Sequence, residues 1–594
     1  MRFQKWYPSQ LKEKNKMCAS QKRWRTINLP AQATEALRDE LKIHPALCGI
    51  LANRGIDDYQ KAKFFFRPDL TLLHDPFLMK DMSLAVERIV DAIAQQEKIL
   101  VYGDYDVDGT TSVAIMYDFL TKIYDKEQLE FYIPNRYREG YGLSSQGIAY
   151  AAEHGFSLLI TLDCGIKSVA LIAEAKAMGI DTIICDHHLP AAELPPAIAI
   201  LNAKQQDCPY PYKELCGCGV GFKLIQALSA ELGLDETEYL PYLELVATAI
   251  AADIVPITGE NRILAYHGIK QVNAHPSTGI KALIELSGSG KEITIGSLSF
   301  MIGPRINAAG RMDDAKKAVS LFIEKDPEQA KLLAAVLQTD NNSRREADAQ
   351  ITEEAIQMLL ADPSLQSKKS TVVFDAGWHK GVIGIVASRL LEKYYRPTIV
   401  ITKSGDMLAG SARSIPGFNI HDGLEYCSDL LLGFGGHYFA AGMTLMPDQL
   451  EHFQQRFEEI ASAQLTEDQL VPEIVIDAIV SLQDLTPSFF RILQQMEPFG
   501  PENMRPVFCL QNVKDAGCRI VKDEHVRFEV EQHGLRITGI GFNMAERFSL
   551  LEDASCLDIV FTLEENHFRG VTTLQMKVID VEMAGKKWTG TGRS

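Results

Sequence analysis

Between residues 98 and 201 the chain alternates short apolar runs with longer amphipathic stretches. Apolar strands separated by amphipathic helices are typical of βαβ units, which build a parallel sheet covered on both faces. In such a sheet the ligand site lies beyond the carboxyl ends of the strands, so the residues that follow each apolar run are the first candidates for a function. The predicted strands are 99–101, 129–133, 158–162, 182–185 and 198–201, and the predicted helices are 111–123, 144–153 and 168–178.

The first of these strands runs directly into the acidic stretch VYGDYDVDGTTS. Asp104, Asp106 and Asp108 alternate there, and we expect Gly109 to turn the chain before the next helix opens with two threonines. Crowded carboxylates repel one another unless a hard divalent cation lies among them, because carboxylate oxygens suit magnesium and manganese. The alternative is an aspartate-rich turn that only caps the next helix.

Three more polar clusters follow apolar runs further along the chain. Asp163 follows the third predicted strand, Asp186-His187-His188 follows the fourth, and Asp253 closes an apolar helical run. Taken singly, Asp163 is also compatible with a helix N-cap and each histidine with an ordinary surface or core residue, whereas a buried carboxylate at 253 needs a partner or a metal. Together the clusters predict a mixed oxygen and nitrogen site for two divalent ions.

Residue types suggest which side chain takes which role in this site. Asp163 is central among the strand ends, so we expect it to bridge the two ions, whereas Asp104 is either a ligand or one shell further out. Successive strand residues point in opposite directions, so His187 and His188 should not face one ion equally. The expected terminal ligands are Asp106, Asp108, His187 and Asp253.

Segments after residue 256 are suited to binding phosphate. Arg305 and Arg311 lie among small residues in GPRINAAGR, which favours close approach to a polyanion backbone; the alternative is a glycine turn with surface arginines. Residues 327–360 form a long helical pattern that we expect to link two domains. The glycine-spaced stretch 377–385 then enters a helix, and helix N-termini hold phosphates well.

The last two hundred residues predict a second α/β domain and a β-barrel. Ser411 and Arg413 place a hydroxyl and a guanidinium on one face of an extended segment, which is a suitable pair for a terminal phosphate. Gly435, Gly436 and His437 add backbone donors and an imidazole. From about residue 470, short apolar runs alternate with turns, and many short strands suggest a barrel.

Composition excludes few classes of function. The chain has 594 residues and a formal net charge of -18, which argues against non-specific adhesion to nucleic acid over the whole surface but not against a local basic channel. Its eleven cysteines are scattered, as expected for thiols in a reducing compartment, and Cys208, Cys216 and Cys218 lack zinc-site spacing. No apolar stretch approaches the ~18 residues that span a bilayer, so we expect a cytoplasmic protein. Residues 1–26 are basic, and we expect a solubilising tail or an arm that touches phosphates.

The motifs GDYDVDG, TLDCG, DHH, AADIVP, GPRINAAGR, GSARS and GGH resemble, in this order, the DHH phosphoesterase family. The resemblance implies an α/β fold in which a parallel-sheet DHH domain is joined by a long helix to a second α/β (DHHA1) domain, followed by a C-terminal β-barrel (OB-like) domain. Some relatives carry a histidine where this chain has Tyr102, and a tyrosine is a poor ligand for a hard ion. The predicted divisions are 1–75 (basic arm and short helices), 76–256 (DHH), 257–367 (helical connector), 368–466 (DHHA1) and 467–594 (OB-like nucleic-acid-binding domain).

The same resemblance implies a metal-dependent exodeoxyribonuclease that acts in DNA repair and recombination. Two Mn²⁺ or Mg²⁺ ions would support removal of mononucleotides from the 5′ end of single-stranded DNA, held in a cleft between the two α/β domains. The implied catalytic residues are Asp163, Asp186 and His188, with His187 as a metal ligand and His188 on the scissile phosphate. Ser411 and Arg413 would hold the 5′-phosphate. The other implied substrate contacts are Arg136, Tyr141, Arg305, Arg311, Gly435, Gly436 and His437.

The barrel would bind the strand through a basic, aromatic groove. We expect Phe528 to be a core residue rather than part of this groove. The side chains expected to line it are Arg519, Lys522, Arg527, Arg536, Phe542 and Arg547.

Two alternatives stay open at this point. Relatives that act on nanoRNA, cyclic dinucleotides or pyrophosphate share the first two domains but lack a C-terminal barrel of this length, so the extra domain favours a long polymer. A non-enzymic binding module with the same fold should show broken acid motifs, and these motifs are intact here. We expect a monomer without membrane attachment, with single-stranded DNA as its partner and a single-stranded-DNA-binding protein and a RecQ-type helicase as further candidate partners.

Overall fold

A computed structural model describes residues 22–288, 290, 292–312, 314–549, 555–568 and 570–585. The basic stretch up to residue 21 lies outside these described residues. The rest of the expected basic arm is not a loose tail: β1 (Arg23–Thr26) pairs in parallel with a later strand, and both Arg23 and Arg25 form ion pairs with Glu473. Among the described residues no helix is long and apolar enough to cross a membrane.

Contacts divide the chain into two compact units. One unit, which we call the sheet unit, comprises Lys63–Arg344 and Met496–Arg505. The other unit comprises the described parts of Met1–Ala62, Arg345–Gln495 and Pro506–Ser594. The long helix predicted over 327–360 begins in the sheet unit and ends in the other unit. The helices that precede the first sheet are α1 (Ala31–Leu41), α2 (Pro45–Asn53), α3 (Tyr59–Phe66) and α4 (Met82–Ala94).

The sheet unit is built on five parallel strands in the order β3-β2-β4-β5-β6. Its strands are apolar and buried on both faces, as the sequence pattern predicts. All the predicted strands and crossover helices are present, with ends shifted by a few residues. They are β2 (Ile99–Gly103), α5 (Val107–Ile123), β3 (Leu129–Tyr132), α6 (Ser145–Glu153), β4 (Leu158–Leu162), α7 (Val169–Ala177), β5 (Asp181–Cys185) and β6 (Ala199–Leu201).

A helical layer follows this sheet. A five-residue π-helix, Leu298–Ile302, interrupts it just before the GPRINAAGR segment. That segment is itself helical, so the alternative of a glycine turn is wrong. The helices are α8 (Gly217–Glu231), α9 (Leu243–Asp253), α10 (Gly259–Ala274), α11 (Thr278–Ser287), α12 (Ile295–Ser297), α13 (Gly303–Met312), α14 (Lys316–Ile323), α15 (Pro327–Ala361) and α16 (Pro363–Gln366).

The second sheet has five strands in the order β10-β11-β9-β8-β7, of which only β7 and β8 run parallel. One apolar cluster packs α18 and α19 on one face, and another packs α17 with the end of α15 on the other. The elements are β7 (Thr371–Phe374), α17 (Ile383–Tyr394), β8 (Thr398–Ser404), β9 (Met407–Arg413), α18 (Ile420–Glu425), β10 (Gly433–Gly436), β11 (Ala440–Leu445) and α19 (Leu450–Gln464).

The C-terminal part is a seven-stranded sheet in the order β13-β14-β18-β19-β17-β16-β15. A short pairing of β14 with β16 curves five of these strands into the partly open barrel typical of OB folds. Phe528 is fully buried in it, as predicted. The elements are β12 (Glu473–Ile476), β13 (Ala478–Val480), α20 (Pro487–Gln495), β14 (Phe508–Asp515), β15 (Arg519–Val521), β16 (His525–Gln532), β17 (Leu535–Gly541), α21 (Ala545–Ser549), β18 (Leu557–Phe568) and β19 (Val571–Met583).

Candidate active site

The acidic stretch after β2 folds differently from the expected turn at Gly109. Helix α5 begins at Val107, and the Asp106 carboxylate caps it by accepting the Gly109 N–H at 3.0 Å. Gly109 therefore lies inside the first helical turn, and a Cβ there would stand 2.4 Å from the carbonyl oxygen of Asp104. The stretch is thus a helix cap and a carboxylate cluster at once, because α5 holds Asp108 in its first turn.

The N-terminus of α8 holds one of these carboxylates in place. Asp108 accepts the Gly217 N–H at 2.6 Å and the Cys218 N–H at 2.7 Å, which are two of the free donors at that helix end. A Cβ on Gly217 would lie 2.6 Å from the Cβ of Asp163, so only glycine allows α8 to approach this closely. The sequence does not single out Gly217, which lies in the run of small residues that opens α8.

Asp163 lies directly after β4 in a left-handed backbone conformation, with φ +58°. Its N–H donates to the Cys185 carbonyl at 2.8 Å, which fixes it beside the end of β5. Aspartate tolerates this conformation better than most residues, and the alternative that Asp163 caps a helix is wrong. The strained backbone holds its carboxylate among the other acids.

The His187 side chain lies among three of these carboxylates. Its Nε2 lies 3.2 Å from Asp163 Oδ1, 3.6 Å from Asp253 Oδ2 and 3.8 Å from Asp108 Oδ2. Two ligand atoms that share one octahedral ion stand about 3 Å apart, so these spacings suit a common ion. Three overlapping sets of potential ligands result: Asp104 with Asp106 and Asp163, Asp108 with His187 and Asp253, and Asp163 with His187 and His188.

We call Asp104, Asp106, Asp108, Asp163, His187 and Asp253 the metal-binding cluster. Its electrostatics are dominated by burial and by repulsion between carboxylates. Burial and the neighbouring carboxylates hold the pKa values of Asp104, Asp163 and Asp253 well above the usual range. Burial and the charge of Asp106 raise the pKa of Asp108 to about 7, although two backbone N–H groups oppose the shift. Burial, with the charge of His188, lowers the pKa of His187 to about 3, so its imidazole is neutral.

The donor set fits two hard divalent cations. Asp104 Oδ2, Asp163 Oδ1 and His187 Nδ1 are buried without a hydrogen-bond partner. Buried carboxylates that repel one another and carry unsatisfied oxygens are stabilised by a cation among them. Asp163 belongs to two of the three ligand sets, which agrees with its predicted bridging position, and the neutral His187 presents Nε2 to them.

Asp186 is placed differently from the other acids. One of its oxygens accepts the N–H groups of His187 and His188 and lies 2.7 Å from His188 Nδ1, and the other accepts the Ile166 N–H at 2.9 Å. Burial opposes its charge, but these donors and His188 lower its pKa to about 2. Burial opposes the charge of His188, but its hydrogen bond with the Asp186 carboxylate raises the pKa of His188 above the usual value. Asp186 therefore acts through His188, as a positioning residue.

His188 turns its other nitrogen towards Tyr141. The Tyr141 hydroxyl lies 3.1 Å from His188 Nε2 and 3.4 Å from the carbonyl oxygen of Asp163. The Tyr141 side chain is more than half exposed. His188 and Tyr141 thus form an accessible pair beside the metal-binding cluster, and their substrate roles stay a prediction.

Two of the predicted arginines of the sheet unit, Arg136 and Arg311, lie near Tyr105, which stands between Asp104 and Asp106 in the sequence. The Arg136 guanidinium lies 5.0 Å from the centre of its ring. A Cβ on Gly310 would lie 2.8 Å from the Tyr105 carbonyl, so α13, which carries Arg305 and Arg311, packs closely on the acidic stretch. Arg305 bonds the Met301 carbonyl of the π-helix and, at 2.7 Å, the Gln338 side chain. Arg136 and the helix that carries Arg305 and Arg311 thereby lie against the acidic stretch.

Ser411 and Arg413 lie side by side on β9, with Arg413 Nη1 donating to Ser411 Oγ at 3.2 Å. The first turn of α17 approaches them through Gly384, where a Cβ would stand 2.8 Å from Ser411 Oγ and 3.0 Å from Arg413 Nη2. A hydroxyl, a guanidinium and a helix N-terminus suit one phosphate group. The glycine-spaced turn is visible in the sequence, but the contact of Gly384 with this pair is not.

Beside Ser411 the two neighbouring strands carry glycines, so the sheet surface has no side chain at these positions. Ser411 is paired with Gly442, and Gly442 with Gly435, across three strands. Directly paired residues share one face of a sheet. Gly442 and Gly435 are exposed, and an added Cβ would meet nothing closer than 4.0 Å at the first and nothing at the second. We call Ser411, Arg413, Gly442 and Gly435 the phosphate face.

Two expectations about other side chains can be checked directly. The Tyr102 hydroxyl donates to the Gly142 carbonyl at 3.0 Å and its ring belongs to the apolar cluster on one face of the sheet, so Tyr102 is directed away from the carboxylates. Arg547, expected in the barrel groove, is instead paired with Asp580 and Glu582.

Comparison with known families agrees with this geometry. Residues 98–250 match the N-terminal domain of the DHH family, residues 367–463 match the DHHA1 domain, and residues 476–580 match the RecJ OB domain. These matches define a protein of the DHH class with an appended OB domain, as the sequence resemblance implied.

Individual relatives narrow the class. The chain is 38% identical, over 96% of its length and 72% of the relative, to the single-stranded-DNA-specific exonuclease RecJ of Bacillus subtilis (strain 168). Its structure resembles RecJ of Thermus thermophilus in complex with Mn²⁺, with a TM-score of 0.81, 28% identity and coverage of 94% of this chain and 79% of that one. The complex of the same protein with Mg²⁺ gives a TM-score of 0.77, 27% identity and coverage of 96% and 79%. The chain belongs to the RecJ family.

Proposed function

We propose that this protein is a divalent-metal-dependent exonuclease that degrades single-stranded DNA from its 5′ end and releases 5′-mononucleotides, in DNA repair and recombination. The observation that carries the proposal is the set of three ligand groups at the strand ends of the first sheet, which overlap because Asp163 belongs to two of them and His187 to two. The relatives named above are single-stranded-DNA-specific exonucleases, and one of them binds Mn²⁺ and Mg²⁺ in its solved structures.

Within this function the metal-binding cluster holds two divalent ions. When bound, these ions activate water and stabilise the charge on the leaving oxygen of a phosphodiester. Asp106, Asp108, Asp163, His187 and Asp253 would hold these ions, with Asp163 as the ligand common to both, and Asp104 would be either a further ligand or one shell further out. Asp108 is oriented for this by the N-terminus of α8, and His187 by its position between Asp163 and Asp253.

His188 contacts the scissile phosphate in this proposal. Its Nδ1 is held by Asp186, which fixes the ring and favours the imidazolium form. An imidazolium beside the reacting phosphate offsets the negative charge that builds up on the oxygens. Tyr141, Arg136, Arg305 and Arg311 line the approach of the strand.

The phosphate face supplies the preference for the 5′ end. Ser411 and Arg413 donate to the terminal phosphate, with the N-terminus of α17 behind them. Gly435, Gly436 and His437 give backbone approach and an imidazole on the neighbouring strands. A terminal phosphate carries more charge than an internal one, so a charged pair at this position favours a strand end.

The barrel contributes a second contact with the strand. A groove of about 520 Å³ is lined by Arg527 and Arg536 together with apolar side chains such as Leu482 and Leu485. Phe542 is more than half exposed and stacks edge-on against His525. Basic and aromatic side chains on an OB barrel suit a single strand, whose bases stack and whose backbone is anionic.

Partners and location follow from the same proposal. A DNA substrate and buried free thiols, such as Cys164 and Cys185, suit the cytoplasm. A single-stranded-DNA-binding protein and a RecQ-type helicase would each supply or expose the strand that this enzyme consumes. The domain divisions and the monomeric state given above stay predictions.

The direct test uses oligonucleotides labelled at either end, with a duplex control. With Mn²⁺, we expect the 5′-labelled strand to release labelled mononucleotide at once, while the 3′-labelled strand shortens progressively. The duplex should resist digestion, and EDTA should abolish digestion of the single strand. Equal attack on both ends, or faster turnover of a dinucleotide than of a long strand, would contradict the polarity or the choice of a polymer substrate.

A further inference from the structure

Two aromatic side chains, Tyr438 and Phe439, lie exposed in the connection between β10 and β11. Their side chains are 40% and 53% exposed, and their ring centres stand 4.6 Å apart at an interplanar angle of 62°. Neither ring belongs to the apolar cluster that packs α18 and α19 on this sheet. Stability of the core therefore gives no reason for two large rings in this connection.

Backbone hydrogen bonds fix this connection. The Ser414 N–H donates to the Phe439 carbonyl at 3.0 Å, and the Ile420 N–H donates to the Tyr438 carbonyl at 3.0 Å. The Tyr438 hydroxyl accepts the Gly417 N–H at 3.1 Å, and the His437 N–H donates to the Ala440 carbonyl at 2.8 Å. The rings are consequently presented on a rigid support, so binding to them costs little ordering entropy.

The aromatic pair is next to the phosphate face in the sheet. Ala440, which follows Phe439, is the strand partner of Arg413, and Phe439 is bonded through its carbonyl to Ser414, the residue after Arg413. Neighbouring strands lie about 5 Å apart. A phosphate held by Ser411 and Arg413 would thus lie on the strand next to the connection that carries the rings.

We propose that Tyr438 and Phe439 form a stacking platform for a base near the 5′ end of the single strand, next to the terminal phosphate. This inference rests on the proposed function and names a contact that the function does not require. Stacking on an aromatic ring is tolerant of base identity, because every base has a π-face. The platform would therefore strengthen binding of the strand end without imposing a sequence preference and without touching the reacting atoms.

The test compares normal strands with strands that lack bases at their first nucleotides. We expect the double variant Tyr438→Ala/Phe439→Ala to raise KM for a 5′-phosphorylated single strand by about 5- to 150-fold, the range that loss of a stacking contact gives, with kcat little changed. On a strand with abasic 5′ nucleotides the variant and the wild type should have similar KM values. The conservative variants Tyr438→Phe and Phe439→Tyr should keep the wild-type KM on normal strands.

Tyr426→Ala is the matched control, because Tyr426 is also an exposed aromatic residue, which lies at the C-terminal end of α18 and outside the β10–β11 connection. It should leave KM unchanged on both strands. An unchanged KM in the double variant, or an equal rise on normal and abasic strands, would overturn the stacking platform while leaving the proposed function intact. A wild-type protein that fails to digest either strand would overturn the proposed function itself, and the platform with it.

Discussion

The metal-binding cluster and the phosphate face solve opposite electrostatic problems. The cluster concentrates buried carboxylates whose pKa values are raised by burial and mutual repulsion, and some of their oxygens have no hydrogen-bond partner. The phosphate face is partly exposed and offers donors and open space instead of acceptors. One region is suited to hold cations, and the other is suited to receive an anion.

This difference separates chemistry from end recognition. Substitutions in the cluster should abolish turnover and should change stability according to whether metal is present. Substitutions on the phosphate face should change which strand ends are accepted and should leave the metal response unchanged. The predictions below test that separation, beginning with the largest expected effect.

Replacing Asp163 by Asn should abolish cleavage. Asparagine tolerates the left-handed conformation and keeps the shape of the side chain, but it removes the charge that bridges the ions. Loss of several kcal/mol of metal-dependent stabilisation of the transition state corresponds to a fall in kcat of about 10³-fold or more. Digestion of a labelled strand with Mn²⁺ measures the loss, and binding of the strand should persist.

The same variant should be more stable than the wild type in EDTA, because it removes one of the carboxylates that repel one another. Thermal unfolding with EDTA and with Mn²⁺ measures both effects, and Asp91→Asn, at an exposed carboxylate on α4, is the control. Retained cleavage, or a stability gain from Mn²⁺ equal to that of the wild type, would show that Asp163 is not a ligand.

Glu244 isolates the effect of burial from that of neighbouring carboxylates. Burial raises its pKa to about 7, although it accepts the Ser277 N–H at 2.9 Å. A carboxyl group whose pKa is raised on folding binds its proton more tightly in the folded protein than in the unfolded chain. The free energy of unfolding should therefore fall as the pH rises from about 4.5 to about 7, by roughly 3 kcal/mol in total. Above that range the loss is complete.

Glu244→Gln should therefore remove this pH dependence and stabilise the protein near pH 8, because the amide oxygen still accepts from Ser277. Urea unfolding at a series of pH values measures the change, with the exposed Glu40→Gln as the control. A variant that unfolds with the same pH dependence as the wild type would show that another group causes it.

Arg413→Gln should weaken recognition of the 5′ end rather than the chemistry. A charged hydrogen bond to phosphate contributes roughly 1.5–3 kcal/mol, so the preference for a 5′-phosphate over a 5′-hydroxyl should fall by about 10- to 100-fold, while the stabilisation by Mn²⁺ stays as in the wild type. Rates on the two strand types, measured in parallel, give the ratio. Lys403→Gln, at an exposed cation of the same sheet, should leave the ratio unchanged, and an unchanged ratio in Arg413→Gln would separate Arg413 from end recognition.

The sequence predicted most of the first sheet because its signal is local. Five apolar strands with helices between them leave few topologies, and Asp163, Asp186 and Asp253 are conspicuous at the ends of apolar runs. The start of α5 was misplaced because Gly109 looks like a turn residue, whereas its lack of a side chain is needed for the close approach of the Asp104 backbone. Contacts between distant segments, such as Gly217 on Asp163 or Gly384 on Ser411, have no local signal.

The sequence also could not predict which of several similar residues takes which role. Asp186 and Asp163 both end strands, yet only the geometry shows that Asp186 is satisfied by four donors while Asp163 has an unsatisfied oxygen. The platform residues Tyr438 and Phe439 were not singled out either, because an aromatic pair in a short connection is indistinguishable from core residues until its exposure is known.

The smallest expected effects come from two adjacent glycines that the sequence treats alike. Gly436 has φ +153°, and a Cβ there would lie 2.4 Å from the Ala440 carbonyl oxygen, so Gly436→Ala should destabilise the protein. Gly435 has open space around it, so Gly435→Ala should stabilise by about 0.4–1 kcal/mol through the unfolded chain. The added methyl group nevertheless fills part of the phosphate face, so KM for a 5′-phosphorylated strand should rise. Thermal unfolding and steady-state kinetics on both variants measure these effects. A Gly435→Ala protein that is more stable but binds the strand as well as the wild type would show that the open surface receives no substrate.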